Sequence, residues 1–319
     1  MKHKCATGYD LSGMDIEIPD ALRQNRMASP TPGMEAWLDS IASMVEAAAE
    51  RWSLTVLPAF DGLSYNYVAP AIRADGTPCV LKVSFPSSDF DHELAATRAF
   101  DGHMCARLLE ADAETATTLL ERVEPGAMLH TLDNDEAEVS IAATIMRGLR
   151  CPPPEGHDFP RARDWLAAAL ARDALPGRKR EMPWIPRALD RIADIAADAE
   201  PEYLLHGDLH HMNILSGQRE PWLAIDPHGV VGDAAWEIAP FLFNNLSHIA
   251  IAGRPRIIRR RADQFAEELE LDRTRVYAWS AVRCIQSAFW SLVDGRIDDH
   301  WGALVAGEAL AEALDRKRA

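Results

Sequence analysis

One polar segment of the chain, His206–Leu215, holds side chains whose types and spacing could carry out phosphoryl transfer. That reaction needs a carboxylate to orient the attacking hydroxyl and oxygen ligands to hold Mg²⁺ against the nucleotide phosphates. Asp208 can supply the carboxylate. Asn213, five residues later, and Asp226, at the end of an apolar run, can supply the ligands. The spacing predicts a catalytic role for Asp208 and metal-ligand roles for Asn213 and Asp226.

The same segment is rich in imidazoles, which leaves a second interpretation open. Four potential metal ligands stand close together in it: His206, Asp208, His210 and His211. These side-chain types suit zinc and would indicate a metal-dependent hydrolase. Nothing downstream completes a zinc site as well as Asn213 and Asp226 complete a site for phosphoryl transfer, so the first interpretation is favoured.

Lys82, a lysine inside an apolar segment, is a candidate for binding phosphate groups. Five of the 33 basic residues are lysines, so arginine carries most generic positive charges in this chain. Strand alternation places Lys82 on the same face as Val80, where a bare ammonium is costly without a partner. Glu93, on the next predicted helix, can be that partner, and a lysine held by a glutamate can bind nucleotide phosphates. The alternative is a surface lysine on an edge strand.

The turn Gly62–Tyr67, which includes Ser64, is a candidate phosphate-binding loop. It contains one glycine, but backbone N–H groups rather than glycines hold a phosphate. An ordinary hairpin turn explains the same residues equally well. A P-loop enzyme is disfavoured because the chain has no GxxxxGK[ST] motif.

Two kinds of structure must position these residues. A polar leader over residues 1–33 precedes an amphipathic helix predicted over 35–52. Strand-like runs with one inserted helix continue to about residue 124, and the chain is mostly helical beyond residue 126. We therefore predict an α+β protein with a flexible leader (1–33), a small nucleotide-binding lobe (34–124) and a larger lobe (125–319). The larger lobe would contain the catalytic loop and the acceptor site.

Charge and cysteine content limit the partners and the compartment. With 33 basic and 49 acidic residues the net charge is −16, which disfavours a nucleic acid or an anionic membrane and favours a cationic ligand. The chain has no apolar run close to the ~18 residues of a membrane span. Its five scattered cysteines fit reduced thiols in a cytoplasm. We expect a cytoplasmic monomer or homodimer that acts on a small molecule.

Three stretches taken jointly resemble the aminoglycoside phosphotransferase family. They are LLHGDLHHMNIL over 204–215, WLAIDPHG over 222–229 and GDAAWEIA over 232–239. Within that family they are similar to the streptomycin 6-phosphotransferase and hydroxyurea phosphotransferase branch, over about residues 50–310. The resemblance implies a protein-kinase-like fold with a small antiparallel-sheet lobe and a larger, mainly helical lobe.

The resemblance also implies an activity. It predicts a kinase that transfers the γ-phosphate of ATP or GTP, with Mg²⁺, to a hydroxyl of a streptomycin-like antibiotic and so gives resistance by inactivation. It further implies that main-chain groups near Glu121 and Val123 face the purine and that His206 braces the catalytic loop. Two alternatives remain. One is a kinase whose acceptor is hydroxyurea or another small hydroxylated metabolite, and the other is a non-catalytic kinase-like binding module.

Overall fold

The computed structural model describes residues 16–28, 30–170, 184–196, 201–293 and 301–315. Contacts divide the chain into two compact units, Met1–Phe90 with Arg107–Arg122 and Asp91–Ala106 with Val123–Ala319. These bounds differ from a single boundary at residue 124, because most of the helix that follows the third strand belongs to the second unit. The functional lobes 34–124 and 125–319 stay a prediction.

The first unit is built around a five-stranded antiparallel sheet. The elements up to residue 122 are α1 (Asp20–Ala28), α2 (Met34–Trp52), β1 (Leu54–Val56), β2 (Tyr67–Arg73), β3 (Pro78–Val83), α3 (Ser88–Phe100), β4 (Leu108–Asp112) and β5 (Thr117–Glu121). The strand order is β1-β2-β3-β5-β4, so β3 lies at the centre of the sheet with a hydrogen-bonded neighbour on each side.

The core of the first unit forms where α2 covers the sheet. Trp37, Ile41 and Val45 recur at helical spacing and are buried, as the sequence pattern predicted. On β3, Leu81 and Val83 point to the same side, as strand alternation requires, and are fully buried in the same cluster.

Part of the predicted leader is ordered in the structure. Residues 20–28 form α1, and its Leu22 is fully buried in the core cluster that α2 and the sheet share. The sequence pattern did not predict this helix, and the flexible leader over residues 1–33 stays a prediction. A single apolar anchor on a nine-residue helix gives too weak a periodic signal to be recognised in the sequence. The leader residues before Ile16, and Ser29, lie outside the described residues.

The second unit is mainly helical with two small antiparallel sheets. Its further elements are β6 (Pro125–Met128), α4 (Asp135–Leu149), α5 (Ala162–Leu170), α6 (Trp184–Ala196), β7 (Tyr203–Leu205), β8 (Ile214–Gly217), β9 (Trp222–Ala224), β10 (Val230–Gly232), α7 (Ala239–Phe243), α8 (Arg254–Glu268), α9 (Arg273–Val293) and α10 (Trp301–Asp315). β7 pairs with β10, and β8 lies between β6 and β9. A short 3-10 helix, Ala234–Ile238, follows β10.

The large core of the second unit surrounds this 3-10 helix. Trp236, Phe241 and Phe265 are among the largest fully buried side chains, and α8, α9 and α10 contribute many of the other buried residues of the same core. Within the described ranges, the structure contains no helix with the length and hydropathy needed to cross a bilayer. The four described cysteines are thiols and not disulfides.

Candidate active site

Two strand pairs fix the ends of the polar segment predicted to be catalytic. β7 ends at Leu205, directly before His206, and β8 begins at Ile214, directly after Asn213. β9, which pairs with β8, ends two residues before Asp226. The hydrogen bonds of these short strands therefore hold both the loop 206–213 and Asp226 at one place in the second unit.

A buried carboxylate holds the backbone of this loop. The N–H of Gly207 donates to both carboxylate oxygens of Glu237 at 3.1 Å, and the N–H groups of His206 and Leu209 also favour the ionised carboxylate. Burial nevertheless raises the pKa of Glu237 to about 7. Gly207 has a φ of +85°, and a Cβ there would lie 2.8 Å from Val230 Cγ2, so another residue would be strained and would clash.

His206 links the loop to the strand that carries Asp226. Its Nε2 lies 2.8 Å from the carbonyl oxygen of Ile225 and must donate to it, while its Nδ1 accepts the N–H of Asp208 at 3.4 Å. The Nδ1 contact requires the neutral ring, because a protonated Nδ1 could not accept a hydrogen bond. Burial lowers the pKa of His206 to about 4, in agreement with that state. His206 is thus a brace for the loop, as the family resemblance implied.

Asp208 lies among three basic groups. Its Oδ2 is 3.5 Å from His210 Nε2 and 3.7 Å from His228 Nε2, and its Oδ1 is 4.0 Å from Arg283 Nη2. Burial alone would raise the pKa of Asp208, but His228, His210 and Arg283 together hold it well below its ordinary value. Asp208 is therefore a partly exposed carboxylate that is ionised at neutral pH.

Asn213 and Asp226 are brought together by main-chain contacts. Asn213 Nδ2 donates to the backbone oxygen of Asp208 at 3.0 Å, and the N–H of Ile225 donates to the backbone oxygen of Asn213 at 3.0 Å. Because the amide nitrogen of Asn213 is engaged in this bond, Oδ1 is the atom that it could offer to a metal ion. Asp226 has a φ of +57°, in the left-handed region that aspartate and asparagine tolerate better than most residues. An amide oxygen and a carboxylate on adjoining segments fit the ligand chemistry of Mg²⁺.

The four residues of the hydrolase interpretation do not form one metal site. His206 uses both ring nitrogens in the contacts just described. His211 points elsewhere: it stacks on Phe241 with ring centroids 3.7 Å apart, and its Nε2 faces Glu138 Oε2 at 3.5 Å. Burial and the charge of Arg261 lower the pKa of His211 far below its ordinary value.

Another set of possible metal ligands lies around His211. In the described part of the chain, Asp135, Glu138 and His211 have ligand atoms within 4.8 Å of one another. Both oxygens of Asp135, however, are already bound by the guanidinium groups of Arg260 and Arg261. Two positive charges thus lie where a cation would have to bind, which favours a buried ion-pair network over a metal centre.

Three of the predicted nucleotide-binding residues lie in the first unit. Lys82 is on the central strand β3, opposite Val68 and Thr118, and is 3 % exposed, so the edge-strand alternative is wrong. Ser64 lies in the exposed turn that precedes β2. Glu121 ends β5, and its N–H donates to the backbone oxygen of Arg107 at 2.8 Å.

The other two predicted nucleotide-binding residues lie in the second unit. Glu93 is half-buried on α3, where its backbone oxygen accepts the hydroxyl of Thr97 at 2.8 Å. Val123 is nearly buried and packs in a small apolar cluster with Ala106 and Leu223. Their roles toward a nucleotide stay predictions.

Two neighbours of Asp208, Arg283 and His228, were not predicted from the sequence. Arg283 lies on α9, 76 residues from Gly207 along the chain, and is one of 28 arginines, so no sequence signal marks it. His228 lies within the second motif stretch, 222–229, but the motif alone does not assign it a role. Its position two residues after Asp226 is the signal that could have placed it near the catalytic loop.

Residues 51–295 match the family described as aminoglycoside/hydroxyurea antibiotic resistance kinase. The match covers more than half of the chain and includes the loop, Asn213 and Asp226. The chain belongs to this family. The prediction of the family from the three motif stretches is therefore confirmed, and so is its enzyme class, a nucleotide-dependent phosphotransferase with an alcohol group as acceptor.

Individual relatives of this antibiotic resistance kinase align over most of their length. Streptomycin 6-kinase of Streptomyces griseus is 31% identical over 311 residues, with 93% of this chain and 98% of that one covered. Hydroxyurea phosphotransferase of Kitasatospora aureofaciens is 35% identical over 298 residues, with 89% and 83% covered. The family description names aminoglycosides and hydroxyurea, and a relative named for each kind of compound thus matches the chain at similar sequence identity.

Solved structures confirm the predicted fold. A thermostable mutant of an aminoglycoside phosphotransferase, bound to ADP and hygromycin B, superposes with a TM-score of 0.58 at 17% identity, covering 86% of this chain and 98% of that chain. A choline/ethanolamine kinase family protein from Mesorhizobium loti gives 0.59 at 16% identity, covering 88% and 93%. At such low identity these likenesses show the fold alone, which is the bilobal α+β fold of protein-kinase-like enzymes.

Proposed function

We propose that this kinase transfers the γ-phosphate of ATP or GTP to a hydroxyl of a streptomycin-like aminoglycoside and thereby inactivates the antibiotic. The observation that carries the proposal is the ionised carboxylate of Asp208 in the loop 206–213. Asn213 at the end of this loop and Asp226 after β9 offer oxygen ligands on adjoining segments. The streptomycin 6-kinase relatives supply the substrate class. The net charge of −16 favours a cationic acceptor of that kind.

Asp208 acts on the acceptor hydroxyl in this proposal. The surrounding imidazoles and guanidinium keep its carboxylate charged, so it accepts a hydrogen bond from the hydroxyl and orients the oxygen toward the phosphorus. A carboxylate with such a low pKa is a weak base at neutral pH. That suits phosphoryl transfer, in which positioning contributes more than early proton removal because the transition state is largely dissociative.

The remaining predicted residues hold the nucleotide. Asn213 Oδ1 and the Asp226 carboxylate would hold Mg²⁺, which when bound neutralises charge on the phosphate oxygens. Lys82, with Glu93 as its predicted anchor, binds the phosphates by charge. The backbone N–H groups of Gly62, Leu63 and Ser64 donate no hydrogen bond to any described residue, so they can donate to a phosphate.

The purine base is bound through main-chain groups in this proposal. Main-chain groups near Glu121 and Val123 are proposed to face the base. The N–H of Glu121 is engaged by Arg107, so its carbonyl and the main chain of Val123 are the groups proposed for that contact. This choice fits either ATP or GTP.

Hydroxyurea is the second candidate acceptor, because the relative that phosphorylates it is at least as similar in sequence as the streptomycin kinases. Charge separates the two, since streptomycin is cationic and hydroxyurea is neutral. Nucleotide consumption should be measured with each acceptor at ionic strengths from 0.1 to 1 M, over which the Debye length falls from about 10 to about 3 Å. We expect turnover of streptomycin with an acceptor KM that rises with salt more than the nucleotide KM. Turnover of hydroxyurea alone would contradict the aminoglycoside assignment and leave the kinase chemistry in place.

Arg283 provides a prediction about positioning. Its Nη2 lies 3.5 Å from the backbone oxygen of Gly207 and 4.0 Å from Asp208 Oδ1, and its Cζ lies 5.9 Å from the Trp236 ring centroid. Arg283→Met keeps the length of the side chain but removes the charge. We expect kcat to fall about 10- to 100-fold, as for the loss of an interaction with a charged group, while the nucleotide KM stays nearly constant.

Arg283→Lys separates the effect of the positive charge from the effect of side-chain size. The lysine restores a positive charge near Asp208, so it should recover a substantial part of kcat. Thermal melting of both variants shows whether the fold is intact. Equal losses of kcat in the lysine and methionine variants would show that Arg283 acts through packing and not through its charge on Asp208.

A further inference from the structure

The helix α1 touches the turn predicted to bind phosphate. Arg26, near the end of α1, donates from Nε to the backbone oxygen of Tyr65 at 2.6 Å, and its Nη2 lies 3.5 Å from Asn66 Oδ1. Tyr65 and Asn66 directly follow Ser64. One side chain of the leader segment therefore holds the main chain of the turn, within the first unit.

Two aromatic rings lock the guanidinium of Arg26 in place. Its Cζ lies 5.4 Å from the centroid of Trp37 and 5.4 Å from that of Tyr65, so the cation contacts both rings. Trp37 in turn meets Phe85 edge to face, with centroids 5.8 Å apart. Phe85 follows the end of β3, the strand that carries Lys82. The contacts thus connect α1 both to the turn and to the neighbourhood of the phosphate-binding strand.

The turn is also attached at its base and through one buried side chain. Phe60 N–H donates to Val68 O at 3.0 Å, which closes the base of the connection, and Leu63 packs into the core. Gly62 has a φ of +71° with open space around it. Leu63 and the hydrogen bonds of Arg26 are thus two anchors between the base of the turn and its tip.

We propose that Arg26 is a positioning residue that fixes the turn Gly62–Asn66 in the conformation in which its N–H groups bind the nucleotide phosphates. The inference rests on the proposed role of this turn in nucleotide binding. It assigns a function in nucleotide affinity to α1, which lies outside the residues 51–295 that match the family. Arg26 acts through the turn and does not itself touch the nucleotide.

Arg26→Met is the variant that tests this role, with Arg26→Gln as a second substitution. Binding of Mg·ATP to the whole protein is measured by calorimetry without any acceptor. We expect the dissociation constant to rise about tenfold, the size expected for losing a hydrogen bond from a charged donor, with the acceptor KM unchanged.

Arg23→Met is a matched control on the same helix. It removes the same charge, but Arg23 pairs with Asp39 at an exposed site, with 42% and 65% of the two side chains accessible. Such pairs contribute little to stability. This variant should bind Mg·ATP like the wild type, so an equal weakening in both variants would overturn the proposal, because charge alone would then explain it.

Chymotrypsin cleavage after Tyr65 reports on the turn directly, because Arg26 holds the carbonyl that the protease must attack. We expect faster cleavage there in Arg26→Met than in Arg23→Met or the wild type. Unchanged cleavage together with unchanged Mg·ATP affinity would refute the role of Arg26. A wild-type protein that binds neither Mg·ATP nor Mg·GTP would instead refute the proposed function as a whole, and a wrong acceptor assignment would affect neither measurement.

Discussion

Asparagine in place of Asp208 is expected to lower kcat by about 10²- to 10⁴-fold, the contribution of a positioned carboxylate that accepts a hydrogen bond from the reacting hydroxyl. The asparagine has the same shape, and the backbone oxygen that accepts the Asn213 amide is unchanged. Nucleotide affinity should therefore stay within about twofold of the wild type. Steady-state kinetics with a saturating acceptor, together with calorimetry of Mg·ATP, separates the two quantities.

The electrostatic surroundings of Asp208 make this variant informative. His210, His228 and Arg283 face a carboxylate that the substitution makes neutral, so some loss of stability is expected and must be checked by thermal melting. A folded Asp208→Asn protein with kcat near that of the wild type would show that another group orients the acceptor. The role assigned to the loop would then be wrong.

Asparagine in place of Asp226 should raise the Mg²⁺ concentration needed for half-maximal activity by about 100-fold or more. Loss of a residue that only supports a metal ligand costs about 10- to 100-fold in affinity, and loss of a ligand charge should cost at least as much. Asparagine tolerates the φ of +57° at this position, so the backbone conformation is kept. Activity measured against Mg²⁺ concentration gives the shift.

Asp101→Asn is the matched control for that experiment. Asp101 is also an aspartate with positive φ, at +46°, but it is exposed in the turn after α3. Its substitution should leave the Mg²⁺ dependence unchanged. If Asp226→Asn shows the same Mg²⁺ dependence as Asp101→Asn, then Asp226 is not a metal ligand, whatever its effect on overall activity.

The helices and strands that carry strong periodic patterns could be predicted from the sequence. The helix predicted over 35–52 is found at Met34–Trp52, because one buried face repeated at 3.6-residue spacing leaves little choice of structure. Lys82 could be selected because lysine is rare in this chain, and its burial on a central strand agrees with the reason for selecting it. These are local signals, carried by neighbouring residues.

The contacts that complete the candidate site depend on residues that are distant in sequence. Arg283 reaches Asp208 from α9, and Arg26 reaches the turn near Ser64 from a helix with a single buried leucine. Glu237 lies in the third motif stretch, 232–239, but its hydrogen bonds to Gly207 depend on the pairing of β7 with β10. Such contacts follow from tertiary packing. They leave no local pattern in a single sequence from which they could be predicted.

Streptomycin incubated with the protein and Mg·ATP tests the central claim most directly, with the product analysed by mass spectrometry. The account predicts that the antibiotic gains the mass of one phosphoryl group in the wild-type reaction and remains unmodified with Asp208→Asn. Unmodified streptomycin in a wild-type reaction that phosphorylates hydroxyurea would contradict the proposed substrate. ATP consumed with no phosphorylated acceptor of any kind would contradict the transfer itself.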